Sequence, residues 1–201
     1  MALDLDRGRF RGALMGIAAA DSEADGRWGA DTSLALCMAE SVIACRGVDL
    51  RDLMDRYLRW YRRGYWSSRG YCFGIDEGQK EALERFERTG EIEALPSLQW
   101  LVAPVVLRYA ADRDAALVGV AALGASPDIA KEFWKRLTVA EPFDAGITFV
   151  EAIAGQGASA GQMAGVSLGI RAIPPEWRER CYRAAEIIGI ADRIYDLVRA
   201  T

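Results

Sequence analysis

Apolar residues recur at steps of three and four along almost the whole chain, and no run alternates apolar and polar positions as a half-buried strand would. The pattern predicts an all-α fold. Helices are expected over about 7–20, 32–46, 50–63, 77–89, 98–111, 113–123, 127–139 and 146–171, with Gly, Pro and Asp at the joints. A last helix should open at Pro174 and Pro175 and carry Trp177, Cys181, Ala184, Ile188, Ala191, Tyr195 and Val198 along one face. Gly157, Gly161, Gly165 and Gly169 lie four apart. On a helix they form a stripe without side chains against which a neighbouring backbone can pack closely, so this segment is expected at the centre of a bundle.

Composition narrows the picture. A chain of 201 residues that is 51% hydrophobic is the right size for one core, so a single domain over 1–201 is the default. The formal charge is −4, with 25 basic residues dispersed among 29 acidic ones, which argues against a nucleic-acid partner. Cys37, Cys45, Cys72 and Cys181 form no CxxC pair, and the chain has no histidine, so zinc has no support. Reduced thiols of a cytoplasmic protein are the better reading. The opening residues lack the basic and apolar regions of a signal peptide. Glu151, Gln156 and Gln162 interrupt the most apolar stretch, Ala145 to Ile170, before the roughly 20 residues a bilayer requires, so no membrane span is expected.

Three sets of segments carry a likeness to a known family. The first runs from Asp6 to Ile17 (DRGRFRGALMGI) and from Trp28 to Leu36 (WGADTSLAL). The second comprises Tyr57 to Tyr61, Gly70 to Ile75, Ala82 to Phe86 and Ala103-Pro104-Val105. The third comprises Ala160 to Gly165, Ala172 to Trp177 and Ala191 to Tyr195. In this order, from end to end, they resemble the ADP-ribosylglycohydrolases, also called ADP-ribosyl-acceptor or dinitrogenase-reductase-activating hydrolases. The resemblance implies an all-α fold with a central cleft, where two magnesium ions serve cleavage of a glycosidic bond to ribose. Two such ions need several carboxylates in octahedral geometry.

The family's Thr-Asp-Asp-Thr run falls on Gly29, Ala30, Asp31 and Thr32, and its Asp-x-Asp-Thr run begins at Ala152, Ile153 and Ala154. No aspartate stands between Asp144 and Asp192. The family's ribose-contacting Gly-Asn-Gly-Ser run corresponds to the region of Leu95, Pro96 and Ser97. Gly124, Ala125, Ser126 and Pro127 stand where members often place histidines before a proline, and the loop between Asp21 and Trp28 is short. Asp31 with Thr32 retains donors for at most one weakly held, hydrated magnesium. The expectation is therefore no metal and no cofactor.

The remaining acidic cluster is Asp21, Glu23, Asp25 and Asp31. Carboxylates held together push their pKa values apart, so Asp31, Asp21 and Glu23 are the candidate acid and base of a metal-free reaction. The plainer reading is a solvated loop with Asp31 capping a helix that begins near Thr32. Trp28, Trp66, Tyr71, Phe73 and Trp100, with Thr32, are the candidate ligand-binding residues, and the rings could equally be core filling. Arg56, Arg59, Arg62, Arg63 and Arg69 read as the wet face of a helix before they read as a phosphate site.

The leading expectation is a divergent, shortened relative that has lost two-magnesium hydrolysis and binds a small, rather apolar molecule in the old cleft. A metal-independent enzyme, of a biosynthetic kind among others, built on Asp31, Asp21 or Glu23 is the second reading. A non-catalytic protein-interaction partner is the third. Homo-oligomer formation stays open.

Overall fold

The computed structural model describes residues 5–92, 100–138 and 147–200, and among these it is built of α-helices with no strand. The helices are α1 (Arg7–Ala20), α2 (Ala30–Ala44), α3 (Leu50–Arg63), α4 (Glu77–Thr89), α5 (Ala103–Arg108), α6 (Arg113–Ala122), α7 (Pro127–Thr138), α8 (Phe149–Ile153), α9 (Gly157–Leu168), α10 (Pro175–Arg180) and α11 (Ala184–Arg199). None is long and apolar enough to cross a membrane among the described residues. The all-α expectation holds, and α1, α3 and α4 keep their expected bounds.

Local chemistry explains those bounds. Asp49 accepts from Arg51 N at 2.9 Å and Asp52 N at 3.0 Å to start α3, and Gly64, at φ 64°, ends it. Asp76 and Gln79 form a reciprocal capping box on α4, as Thr148 and Glu151 do on α8.

Two long expected helices are each broken. The 146–171 segment divides into α8 and α9 at Ala154–Gln156, where Gly155 (φ 70°) and then Gly157 (φ 60°) take the left-handed conformation. The C-terminal helix divides into α10 and α11 at Cys181–Arg183. There Tyr182 N donates to the Gly26 carbonyl at 3.0 Å instead of continuing the helix, and Arg183 turns left-handed at φ 50°. The buried face of α11 consequently runs through Ile187, Ile190, Ala191, Ile194, Tyr195 and Val198, with Ile188 only partly covered. The α5 helix is shorter than expected; the positions up to Gln99, including Leu95, Pro96 and Ser97, lie outside the described residues, as does Asp144.

The centre of the fold is the pairing of α1 with α9. Gly12 faces Gly165 and Gly16 faces Gly161, so closely that a Cβ on any of the four would overlap the opposite carbonyl oxygen. Gly157 sits outside this seam, whereas Gly169, at φ 73°, ends α9 with its backbone against Gly12. Around the seam, Phe10, Leu14, Met15 and Ile17 of α1 are buried with Leu36 and Met38 of α2 and Ile187 and Ile194 of α11. This core fixes the C-terminal end of α1 and the N-terminal end of α2, where the candidate residues lie.

A candidate carboxylate site under a loop cluster

Asp21 ends α1, and Asp31 lies in the first turn of α2. The loop between them folds tightly: Gly29 N donates to Asp21 O at 3.1 Å, Glu23 N to Arg27 O at 3.0 Å, and Ser22 and Trp28 form an isolated antiparallel bridge. The N-cap of α2, Gly29, has no side chain, so the helix is capped from a distance. One Asp21 carboxylate oxygen accepts from Thr32 N at 2.9 Å and from Thr32 Oγ1 at 2.7 Å. Asp21, not Asp31, is therefore the cap, and a Cβ at position 29 would come within 2.5 Å of the Asp21 carboxylate. Only glycine leaves room for this carboxylate to reach the helix end.

The electrostatics follow. Burial pushes the Asp21 carboxyl above its ordinary value, while the Thr32 hydroxyl, Thr32 N and Gly29 N pull it back. Burial also raises Asp31, and the neighbouring Asp21 charge adds to it, taking Asp31 up to about 6. These two carboxyls are thus close and unequal, one committed to a helix end and the other able to hold a proton near neutral pH. Glu23 stands apart, exposed and paired with Arg69, and Asp25 pairs with Arg27. The sequence-based cluster of four reduces to a pair plus two surface acids.

The aromatic candidates divide as well. Trp28 is wholly buried and Trp66 is 7% exposed. Trp28 Nε1 donates to Trp66 O at 3.1 Å, its own carbonyl accepts from Ser68 Oγ at 2.7 Å, and its ring lies 5.5 Å from that of Tyr182. Both indoles fill space between loops. Tyr71, 60% exposed, and Phe73 form an edge-on pair with centroids 6.2 Å apart, and Gly74 follows them against Ala30. Gly74, and not either ring, is the residue of this segment placed against the first turn of α2. Trp100 is held separately: the buried Gln162 of α9 donates to its carbonyl at 2.6 Å and accepts from Ala103 N at 3.1 Å.

Sequence reasoning gave no role to Gln162, Tyr182 or Arg183, because nothing in the local pattern shows that a side chain ties two distant loops. It also placed Arg56 on a wet face, whereas the side chain is 12% exposed and pairs with Asp52 and Glu40. The physical reason is that α3 packs on α2, which brings Glu40 alongside.

A pair of magnesium ions needs several side-chain oxygens here. Ala30, Ala152 and Ala154 offer no oxygen from their side chains, and one Asp21 oxygen is engaged by Thr32. Among the described residues no group of three or more His, Cys, Asp or Glu is placed to hold a metal. Two ions that each require several hard oxygen ligands do not fit the donors of the described residues.

The comparisons with known proteins agree with the architecture. Residues 3–154 and 154–201 match the ADP-ribosylglycohydrolase family. The chain is 43% identical over 65 residues to the ADP-ribosylarginine hydrolase Tri1 of Serratia proteamaculans (strain 568), and 39% identical over 67 residues to that of Pseudomonas putida (strain GB-1). These matches span 32% and 33% of this chain and only 18% of each relative. A solved structure titled "ADP-ribosylglycohydrolase-related protein complex" superposes with a TM-score of 0.57 at 24% identity, over 96% of this chain and 98% of that one, a likeness of fold. With the profile matched nearly end to end, the chain belongs to the ADP-ribosylglycohydrolase family.

Proposed function

We propose that this family member has given up two-magnesium hydrolysis and uses the cleft beside Asp31 to bind a small, rather apolar molecule. One observation carries the reading: of the two carboxylates near the α2 terminus, Asp21 is taken up in capping the helix, and alanines occupy the matching positions that would have supplied others. Tyr71 and Phe73, an edge-on ring pair that precedes Gly74 where it meets Ala30, are the apolar groups this reading assigns to the rim. Calorimetric titration with magnesium chloride tests the first half, with no stoichiometric uptake expected. Tight uptake of two ions per chain, or release of ADP-ribose from ADP-ribosylated arginine, ends the proposal. For the second half, the fluorescent probe anilinonaphthalene sulfonate should bind at one saturable site that Tyr71→Glu weakens about tenfold or more. A probe that finds no saturable site contradicts it.

A second reading is favoured by the pKa of Asp31. A carboxyl raised to about 6 by burial, with the neighbouring Asp21 adding to the rise, suits general acid–base work without a metal. In that reading Asp31 exchanges the proton, burial and then Asp21 raise its pKa, and Glu23 is a surface charge. Asp31→Asn decides it: a folded variant that turns over any identified substrate at the unaltered rate removes Asp31 from the mechanism.

A further inference from the structure

The end of α1 remote from Asp21 borders a surface cavity of about 360 Å³. Fourteen residues of helix, a rise of about 21 Å, separate that end from the carboxylate pair. Part of the lining is bare backbone: Gly8 of α1 lies beside Gly169, which takes φ 73° where α9 ends, and even a Cβ on Gly169 would stand 3.6 Å from the Gly8 carbonyl. Leu168 and Ile170 supply an apolar part, and Arg11, Arg171 and Asp6 the charged part. The volume falls within the range of small-molecule sites, roughly 300–1,000 Å³.

The charges around it are unequally engaged. Arg11 Nε and Nη2 donate to the two Asp192 carboxylate oxygens at 2.7 and 2.8 Å, which fixes the guanidinium plane and leaves Nη1 unengaged. Asp192 also lies 3.4 Å from Arg7, which donates to Asp196 at 2.5 Å, so these two arginines and two aspartates balance one another. Asp6 accepts from Gly8 N at 2.7 Å as the cap of α1, and the helix terminus is thereby already satisfied. Arg171 is exposed, and among the described residues no hydrogen bond, ion pair or ring contact holds its guanidinium. An unpaired surface arginine is ordinary by itself. Here it shares one concavity with a second guanidinium that is already oriented and with two aliphatic side chains, so an anion bound there would meet a donor that needs no further ordering.

We propose that this cavity is a second ligand site, for a small organic anion whose phosphate or carboxylate head sits between Arg171 and the Nη1 group of Arg11. Leu168 and Ile170 cover the organic part of the ligand, and the Gly8 and Gly169 backbones leave it room. Arg171 supplies the charge that the ligand neutralises, and Arg11 supplies direction. The site lies at the opposite end of α1 from Asp31, and the proposal does not depend on how the cleft beside Asp31 is read.

Amide chemical shifts of the isotope-labelled full chain, followed during titration with phenyl phosphate and separately with benzoate, test it in about 0.15 M sodium chloride, where distant exposed charges are screened. Saturable movement of the Gly8, Gly169 and Ile170 signals is expected with at least one probe, and the probe held more tightly identifies the head group. Arg171→Ala should weaken that binding about tenfold or more by removing a charge-assisted donor, and Arg171→Glu should weaken it further. The side chain is exposed, so both variants are expected to stay folded. Arg113→Ala, an exposed arginine at the start of α6, should leave binding unaltered. The proposal is overturned if neither probe moves these signals saturably, if Asp31 and Thr32 move in their place, or if Arg171→Ala binds as tightly as the unaltered chain. Equal weakening by Arg113→Ala overturns it as well, since attraction to the general surface charge would then suffice.

Discussion

The α1–α9 seam and the loop cluster at the end of α1 are built from neighbouring residues, yet they are held by opposite means. At Gly12, Gly16, Gly161 and Gly165 the two helices meet backbone to backbone, with no side chain in between and no room for one. A few residues later, at Asp21, contact passes to a loop cluster secured by single hydrogen bonds, a stacked arginine and two carboxyls whose charged forms burial disfavours. A seam of the first kind has one arrangement. The second kind carries two non-glycine residues in the left-handed region, Trp66 and Arg183, whose strain its surroundings must hold.

The sharpest way to break the contrast is Gly165→Val. A branched side chain there meets the Gly12 carbonyl and the Ala13 amide, and α1 has no direction in which to retreat. Overpacking of this kind is expected to cost at least about 3 kcal/mol, and a loss of soluble folded protein would fit the same expectation. A variant with unchanged thermal midpoint would mean that the seam is looser than drawn.

Gln162→Ala comes next. The Gln162 amide is wholly buried and satisfies Trp100 O, Ala103 N and, at 3.4 Å, Val102 N. Truncation leaves those groups unpaired beside a new cavity, for a loss of about 2–4 kcal/mol in denaturant unfolding. Asp21→Ala should cost less, about 1–2 kcal/mol, because it removes a cap from α2 without opening the core. It also takes away the charge that raises Asp31, so the titration of Asp31 should move down toward its ordinary range. An unchanged Asp31 pKa in that variant would show that burial alone sets it.

What the sequence disclosed follows the same division. Periodicity located α1, α3 and α4 residue for residue, because Asp6, Asp49 and Asp76 cap their starts and, for α3 and α4, Gly64 and Gly90 end them, all acting locally. The glycine spacing of four was enough to identify a close helix pair, although Gly157 takes no part and the partners Gly12 and Gly16 were not picked out. The breaks at Gly155 and Arg183 were hidden. The second exists because a loop about 155 residues earlier captures the amide of Tyr182, and nothing within the helix pattern signals it. At the candidate site, Asp21 and Asp31 were legible only as members of a cluster of four acids in which Glu23 was an equal candidate. Which of them caps the helix was not, since that depends on Gly29 leaving space for a side chain from the end of the preceding helix.

The finest test concerns Asp31 alone. Its pKa rises from 3.8 to about 6 on folding, so between those values the folded chain holds a proton that the unfolded chain has lost. Stability from this group is therefore fully present below about pH 4, falls as pH rises to about 6, and stays at its lower level above that. Asp31→Asn removes the dependence. At pH 4 the variant should match the unaltered protein, and at pH 7.5 it should be more stable by about 1 kcal/mol, a figure reduced from the full shift because the carboxyl is partly solvated. Urea unfolding of both proteins at the two pH values measures the difference directly. A stabilisation of equal size at both would place the gain in packing and not in charge, and the loop cluster would then lose its claim to store a proton at the cost of stability.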